Sequence, residues 1–386
     1  MLTTAGLAKG MANLGGEGCF ARLLRVVLFA ATLYVFLAAI ELFGHSVTLF
    51  GQDAAAALCS GLRNPFAGLA VGILATVLVQ SSSVTTCSIV AMVGAGTLPL
   101  EYAVPMVMGA NIGTSITCVL VSLGHVTRDA PFRRAFAGAT VHDFFNLLTV
   151  LIILPLELAT GFLRHTAVWL VAVLPLEGSG GAFESPVKTA VEWLAQAIAS
   201  CLERGLGIHG KLLASVLVGV ALVMIIVSLI VITRNMRVLM ADRIEAWLNR
   251  VLRRSGLLGL LIGTIITMLV QSSSITTSLL IPMFGAGVLA LEAGFPIMLG
   301  ANIGTTITAL LAATVAGPAG LTIALVHLLF NLTGTLIYFP VKFMRQIPIF
   351  LARQLADLAI RNRVWVVVYV FGVFVGLPLL GIVIWG

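Results

Sequence analysis

Charge is scarce in this 386-residue chain: 10% of the residues are charged, with 15 acidic against 22 basic side chains. Since 60% are apolar and the mean hydropathy is +1.12, too little polar surface exists to coat a water-soluble globule. Cysteines are few and scattered singly, as Cys19, Cys59, Cys87, Cys118 and Cys201, with no CxxC pair and no metal-ligand spacing. Nucleophile and metalloenzyme motifs are missing too: there is no GxSxG elbow, no HExxH and no Cys/His cluster, so an enzyme is not expected. The net charge of +7 does not imply nucleic acid as a partner, because the basic residues collect in loops between apolar spans, where they carry orientation.

What the chain has is hydrophobic length. Apolar stretches run at 26–43, 66–79, 84–98, 103–125, 135–155, 212–233, 256–270, 275–291, 295–316, 319–340 and 364–385. The lipid bilayer is therefore the expected surroundings, and the first run reads as a retained helix rather than a cleaved signal. Four stretches, 66–79, 84–98, 256–270 and 275–291, are nearer 15 residues than 20 and occur as adjacent pairs that meet at Gln-Ser-Ser-Ser, Gln80 to Ser83 and Gln271 to Ser274. Each pair reads as a re-entrant hairpin with a polar tip, tolerated at membrane depth only inside protein or along a water-filled cavity.

Loop charges set the direction. Arg128, Arg133 and Arg134, six arginines over 234–254, and the basic residues of 342–363 mark cytoplasmic loops, whereas 177–211, with four glutamates against three basic residues, should lie outside. This places the N-terminus (1–25) in the cytoplasm, the first hairpin opening outward and the second inward. Residues 157–176 are read as interfacial; a crossing there would reverse the second half. The expected organisation is a first repeat at 26–176 (hairpin 66–98, broken helix 103–125) and an external loop at 177–211. A second repeat follows at 212–340 (hairpin 256–291, broken helix 295–316), then an amphipathic segment at 341–363 and a final helix at 364–386.

Aligning residue n with n+191 over 72–118 and 263–309 gives 26 identities in 47 positions without a gap. What is shared is the polar set, GANIGTxIT and QSSSxTT included, which is the costly part in lipid. The fold class expected is an all-α polytopic membrane protein of two inverted-topology repeats, each with a re-entrant hairpin and a broken transmembrane helix, the pattern of alternating-access transporters.

Two tips and two helix interruptions offer amide, hydroxyl and carbonyl oxygens to a hard monovalent cation, and N–H and O–H donors to an oxyanion. For the oxyanion the candidates are Gln80, Ser81, Ser82, Ser83, Ser272, Ser273, Ser274, Asn111 and Asn302. Oxygens open to a cation are found at Gln271, Ser272, Ser273, Thr114, Ser115, Thr117, Thr305, Thr306 and Asp143, and chemistry alone leaves open which tip groups serve which ion. Asp143 is an ionisable group in an apolar span, favoured as an ion site over a structural residue, and its counterpart in the second half is Leu328. His142, His327, Asn146 and Asn331 recur together and read as packed, hydrogen-bonded groups; Glu101 and Glu292 read as surface anchors. An ion channel and a transporter of another small oxyanion stay open beside the main reading.

At these motifs the chain resembles the type II sodium-phosphate cotransporters. The resemblance rests on Asn64-Pro65, VLVQSSSVTT (Val77 to Thr86), MGANIGTSIT (Met108 to Thr117), AFAGATVHDFFN (Ala135 to Asn146), LVQSSSITT (Leu269 to Thr277), LGANIGTTIT (Leu299 to Thr308) and HLLFN (His327 to Asn331). It implies symport of sodium with inorganic phosphate, divalent and electrogenic through Asp143, with no organic cofactor. A sodium role for Gln271, Ser272, Ser273, Thr117 and Thr306 is also what the resemblance implies. It also implies a bacterial member in the inner membrane, working singly or as a homodimer. The chain departs from animal members in its short external loop, which holds only Cys201, and in the expected lack of a last crossing.

Overall fold

The computed structural model describes residues 19–49, 64–173, 186–251 and 256–385, and the regular elements among them are all helical. The sequence expectations for 1–18, Cys59 and 177–185 lie outside the described residues. Among the described residues, six helical stretches are long and apolar enough to cross a bilayer: Leu23–Thr48, Leu100–His125, Asp129–Thr160, Gly210–Met236, Leu291–Tyr338 and Val364–Ile384. Large apolar side chains such as Leu151, Leu336 and Val383 remain exposed along them, as surfaces that lipid covers. The chain is a multi-pass α-helical membrane protein.

Helix α1 (Cys19–Thr48) is followed by two short helices, α2 (Pro65–Val79) and α3 (Ser82–Gly94). The Asn64 side chain caps α2, accepting from the Phe66 amide at 2.9 Å, and Pro65 supplies the preset φ of a first helical residue. Gln80 then turns left-handed, at φ 56°, and ends the helix. Next come α4 (Leu100–Thr114), α5 (Ile116–Ser122), α6 (Asp129–Thr160), α7 (Phe162–Val173), α8 (Pro186–Leu206) and the long α9 (Gly210–Val251). A second short pair, α10 (Gly256–Val270) and α11 (Ser273–Ala286), precedes α12 (Leu291–Tyr338), α13 (Lys342–Arg361), α14 (Val364–Phe371) and α15 (Leu377–Trp385). With 12 residues, α7 extends about 18 Å, short of a hydrocarbon core about 30 Å thick.

The packing of the two short pairs is alike. In each, the first arm lies on the following long helix, α2 on α4 and α10 on α12. The return arms cross over: α3 packs on α12, and α11 packs on α6. Close approach in the first arms depends on glycine. A Cβ at Gly72 would come within 2.0 Å of the Met106 carbonyl oxygen, and one at Gly263 within 2.1 Å of the Ile297 oxygen, 191 residues further on. Gly109 and Gly300 repeat the relation against Leu69 and Leu260.

Of the two expected helix interruptions, the first falls among the residues that the sequence points to and the second needs correction. In the first half the break is a single residue, Ser115, between α4 and α5. In the second half α12 runs unbroken through Gly300–Thr308; its non-helical residue is Gly317, at φ 70° and ψ −172°, just before Pro318. The reason is local. Hydroxyls turn back onto the helix, Thr305 to the Ala301 oxygen at 2.8 Å and Thr306 to the Ile303 oxygen at 2.7 Å, so they do not open it. The glycines are spent on packing against α10 instead of on breaking α12. At Gly317 only glycine tolerates the backbone, and there α12 folds into two limbs.

Candidate substrate and ion site

Both Gln-Ser-Ser-Ser turns line one cavity of about 470 Å³. Gln80 to Ser83 form one wall and Gln271 to Ser274 the facing one, while Ile226, Leu229, Thr233 and Arg234 of α9 close a third side. The turns share their construction. Gln80 and Gln271 are the two non-glycine residues with positive φ among the described residues, at 56° and 58°. Such a conformation costs an ordinary side chain about 1–2 kcal/mol, and each glutamine amide offsets part of it by donating to a carbonyl of the helix it ends: Gln80 to Val77 at 2.5 Å, and Gln271 to Met268. The amide oxygens are held from the long helices. Thr117 donates to Gln80 Oε1 at 3.5 Å, and Thr308 donates to Gln271 Oε1 at 3.0 Å.

Inside each turn a threonine pair ties the arms together, Thr76 to Thr85 at 3.1 Å and Thr267 to Thr276 at 2.8 Å. Helices α3 and α11 both begin at the cavity, so their first N–H groups and partial positive charge lie beside the same space. Ser81 caps the first of them, accepting from the Val84 amide at 3.3 Å. The symmetry is incomplete: Gln80 is exposed, whereas Gln271 is buried.

A second polar cluster, separate from the lining of this cavity, joins the halves. His142 pairs with Asn302 Oδ1; Asn302 donates to Asn146 Oδ1 at 2.8 Å; Asn146 donates to the Asn111 carbonyl at 2.9 Å; and Asn331 donates to Asn111 Oδ1 at 3.2 Å. All are buried. Unpaired, each would cost about 1–3 kcal/mol, so the network fixes α4, α6 and α12 against one another. Asn111 and Asn302 therefore serve this clamp and are not in the cavity wall, and His142 and Asn146 are the packed groups the sequence suggests.

Asp143 forms a third group. It is fully buried on α6, its Oδ2 accepts the Tyr369 hydroxyl of α14 at 2.8 Å, and its Oδ1 has no partner among the described residues. Ser115 adjoins it at the α4–α5 joint. Three residues after Ser115, Cys118 donates to Thr277 at 3.0 Å, linking α5 to α11. A buried carboxylate oxygen without a donor suits a small hard cation.

Of the sequence candidates, Gln80, Ser81, Ser82, Ser83, Gln271, Ser272, Ser273 and Ser274 meet at the cavity. Thr117 reaches it through Gln80. Thr114 bonds back to the Ala110 carbonyl at 2.9 Å and Ser115 to that of Ile112 at 2.8 Å, and like Thr305, Thr306 and Asp143 they lie outside the lining. Three participants escaped the sequence reading. Thr308 is the repeat partner of Thr117 and was legible by that register; Arg234 looked like an ordinary loop charge; Tyr369 belongs to a helix outside the repeat.

A family profile described as Na+/Pi-cotransporter matches residues 35–160 and 211–377. The sodium-dependent phosphate transport protein 2A of Rattus norvegicus is 33% identical over 428 residues, covering 92% of this chain and 67% of that protein. The 2B protein of Homo sapiens is 31% identical over 445 residues, covering 92% of this chain and 64% of the relative. No solved structure matches. With both halves of the chain inside the matched regions, together with the paired turns and the clamp between them, the chain belongs to the Na+/Pi-cotransporter family.

Proposed function

We propose that this protein carries inorganic phosphate across the membrane together with sodium, by alternating access between two inverted halves. The observation that carries the reading is the single cavity walled by both Gln-Ser-Ser-Ser turns, because two re-entrant tips sharing one pocket let a single cargo be handed from one side to the other. Phosphate oxygens accept hydrogen bonds from the tip serines and from the first amides of α3 and α11, and Arg234 adds the cation at this wall. Sodium is a substrate here. Gln271, Ser272 and Ser273 offer neutral oxygens at the tip, and the second ion takes Asp143 Oδ1 with Ser115 beside it. Electrogenic transport of divalent phosphate is what the resemblance to the type II cotransporters implies for a chain with an aspartate at position 143, and it is part of this proposal. The arginine-rich loops support placing α9's Arg234 end and the start of α6 on the cytoplasmic side, and a bacterial inner membrane is the setting that the family resemblance implies.

The test is uptake of labelled phosphate into proteoliposomes. Uptake should saturate with phosphate and vanish when external sodium is replaced by choline; uptake that persists in choline defeats the proposal.

A further inference from the structure

Away from the cargo cavity, at the opposite end of α11, lies a second cavity of about 300 Å³ among α6, the α11–α12 turn and the amphipathic helix α13. Its charged lining is Arg133, Arg134 and Arg353 with one carboxylate, Glu292. Helix α13 buries Ile349, Ala352, Ala356 and Ala359 on one face, which seats it on the bundle, and it lines this space with Arg353 and Ala356.

Every arginine is oriented by a partner yet keeps unused donors. Arg133 engages Asp357 through Nε and Nη2, the latter at 2.9 Å; Arg134 gives Nε and Nη2 to the Gly285 carbonyl at 3.1 and 2.7 Å; Arg353 gives Nη2 to Glu292 at 2.6 Å. A guanidinium carries five N–H donors in a fixed fork, so all three retain Nη1. Three cations face two carboxylates, Glu292 and Asp357, leaving the cavity one positive charge in excess. The partners fix the forks in place, and preorganised arginine forks recognise tetrahedral oxyanions two oxygens at a time.

We propose that this cavity is a regulatory anion site, distinct from the transport pocket, that takes a phosphate group: inorganic phosphate from solution or the phosphomonoester headgroup of an anionic lipid. Basic pockets at the membrane surface between helices suit both sources. An anion held there fastens α13 to α6 and to the turn before α12, elements that belong to different halves.

The site is read by binding, on the whole protein with sodium replaced by choline. One arm titrates the detergent-purified protein with labelled inorganic phosphate; the other compares nanodiscs with and without phosphatidylinositol phosphate. Saturable binding in the phosphate arm identifies the free anion as ligand, and in the lipid arm the headgroup. Arg353→Gln should weaken that binding by about tenfold or more, the effect of losing one charge-assisted donor. Glu292→Gln should strengthen it, because a competing carboxylate is gone, whereas a purely structural ion pair would suffer alike from both changes. Ser273→Ala, a change in the cargo cavity, should leave it unaltered, so failure of this site and failure of the transport reading are told apart. The proposal falls if neither arm saturates, if Arg353→Gln binds as wild type, or if Glu292→Gln weakens binding. Should Arg353→Gln fail to fold, the direction of the Glu292→Gln change still decides.

Discussion

Tyr369 donates its hydroxyl to Asp143 at 2.8 Å, so a fully buried carboxylate of α6 is oriented by a helix outside the repeated halves. The bond occupies Oδ2 and leaves Oδ1 open. Replacing Tyr369 by Phe should lower stability by about 1–3 kcal/mol, the range for a hydrogen bond to a charged group, seen as a reduced thermal midpoint. Asp143→Gly should keep part of the phosphate uptake and abolish the sodium-driven inward current. A charge-to-phosphate ratio unchanged in the variant would remove Asp143 from the ion path.

Gln271 combines a left-handed backbone with an amide oxygen held by Thr308. Gln271→Gly relaxes the backbone by about 1–2 kcal/mol while deleting the amide. The expected result is a protein that folds at least as well as wild type yet takes up phosphate tenfold or more slowly, roughly the loss of one polar ligand. Retained uptake would show that the turn needs only its shape.

Gly72 and Gly263 sit under the carbonyls of Met106 and Ile297. Alanine at either site forces α2 from α4, or α10 from α12, with the overpacking penalty of about 1–3 kcal/mol or more. Since the two contacts are equivalent, Gly72→Ala and Gly263→Ala should lower the thermal midpoint similarly. A loss at one position alone would mean that one hairpin carries the stability.

Arg234 should act on the anion and not on folding. Arg234→Gln is expected to raise KM for phosphate severalfold with less effect on the maximal rate, and the difference should shrink as ionic strength rises. A variant indistinguishable from wild type at low salt would leave Arg234 a bystander to the cavity.

The Arg133 guanidinium holds the Asp357 carboxyl below its ordinary range, mainly by hydrogen bonding and also by charge. A depressed folded-state pKa contributes stability that is fully present above the unfolded carboxylate's pKa and is lost as pH falls from there through the folded-state value. Both groups are substantially exposed, so screening keeps the contribution under about 1 kcal/mol. Asp357→Asn should thus lower the thermal midpoint slightly at pH 7, and by progressively less as the pH falls below the ordinary carboxylate range.

The sequence by itself determined that this chain lives in a bilayer, where two polar turns interrupt apolar runs, and that the turns are copies of each other. Those conclusions needed only hydropathy and the 191-residue register, both of which are properties of the chain read in order. It misplaced the second helix break, because a run such as GANIGTTIT looks the same whether its hydroxyls open a helix or fold back on it; that choice depends on neighbours such as Leu260 and Thr264 at the glycines. Tertiary structure alone decided that Asn111 and Asn302 join a clamp, that Arg234 lines the cavity, and that Tyr369 meets Asp143 from 226 residues away. The physical reason is that a buried polar group takes whichever partner the packing brings within hydrogen-bond reach, and periodicity in one dimension carries no record of that partner.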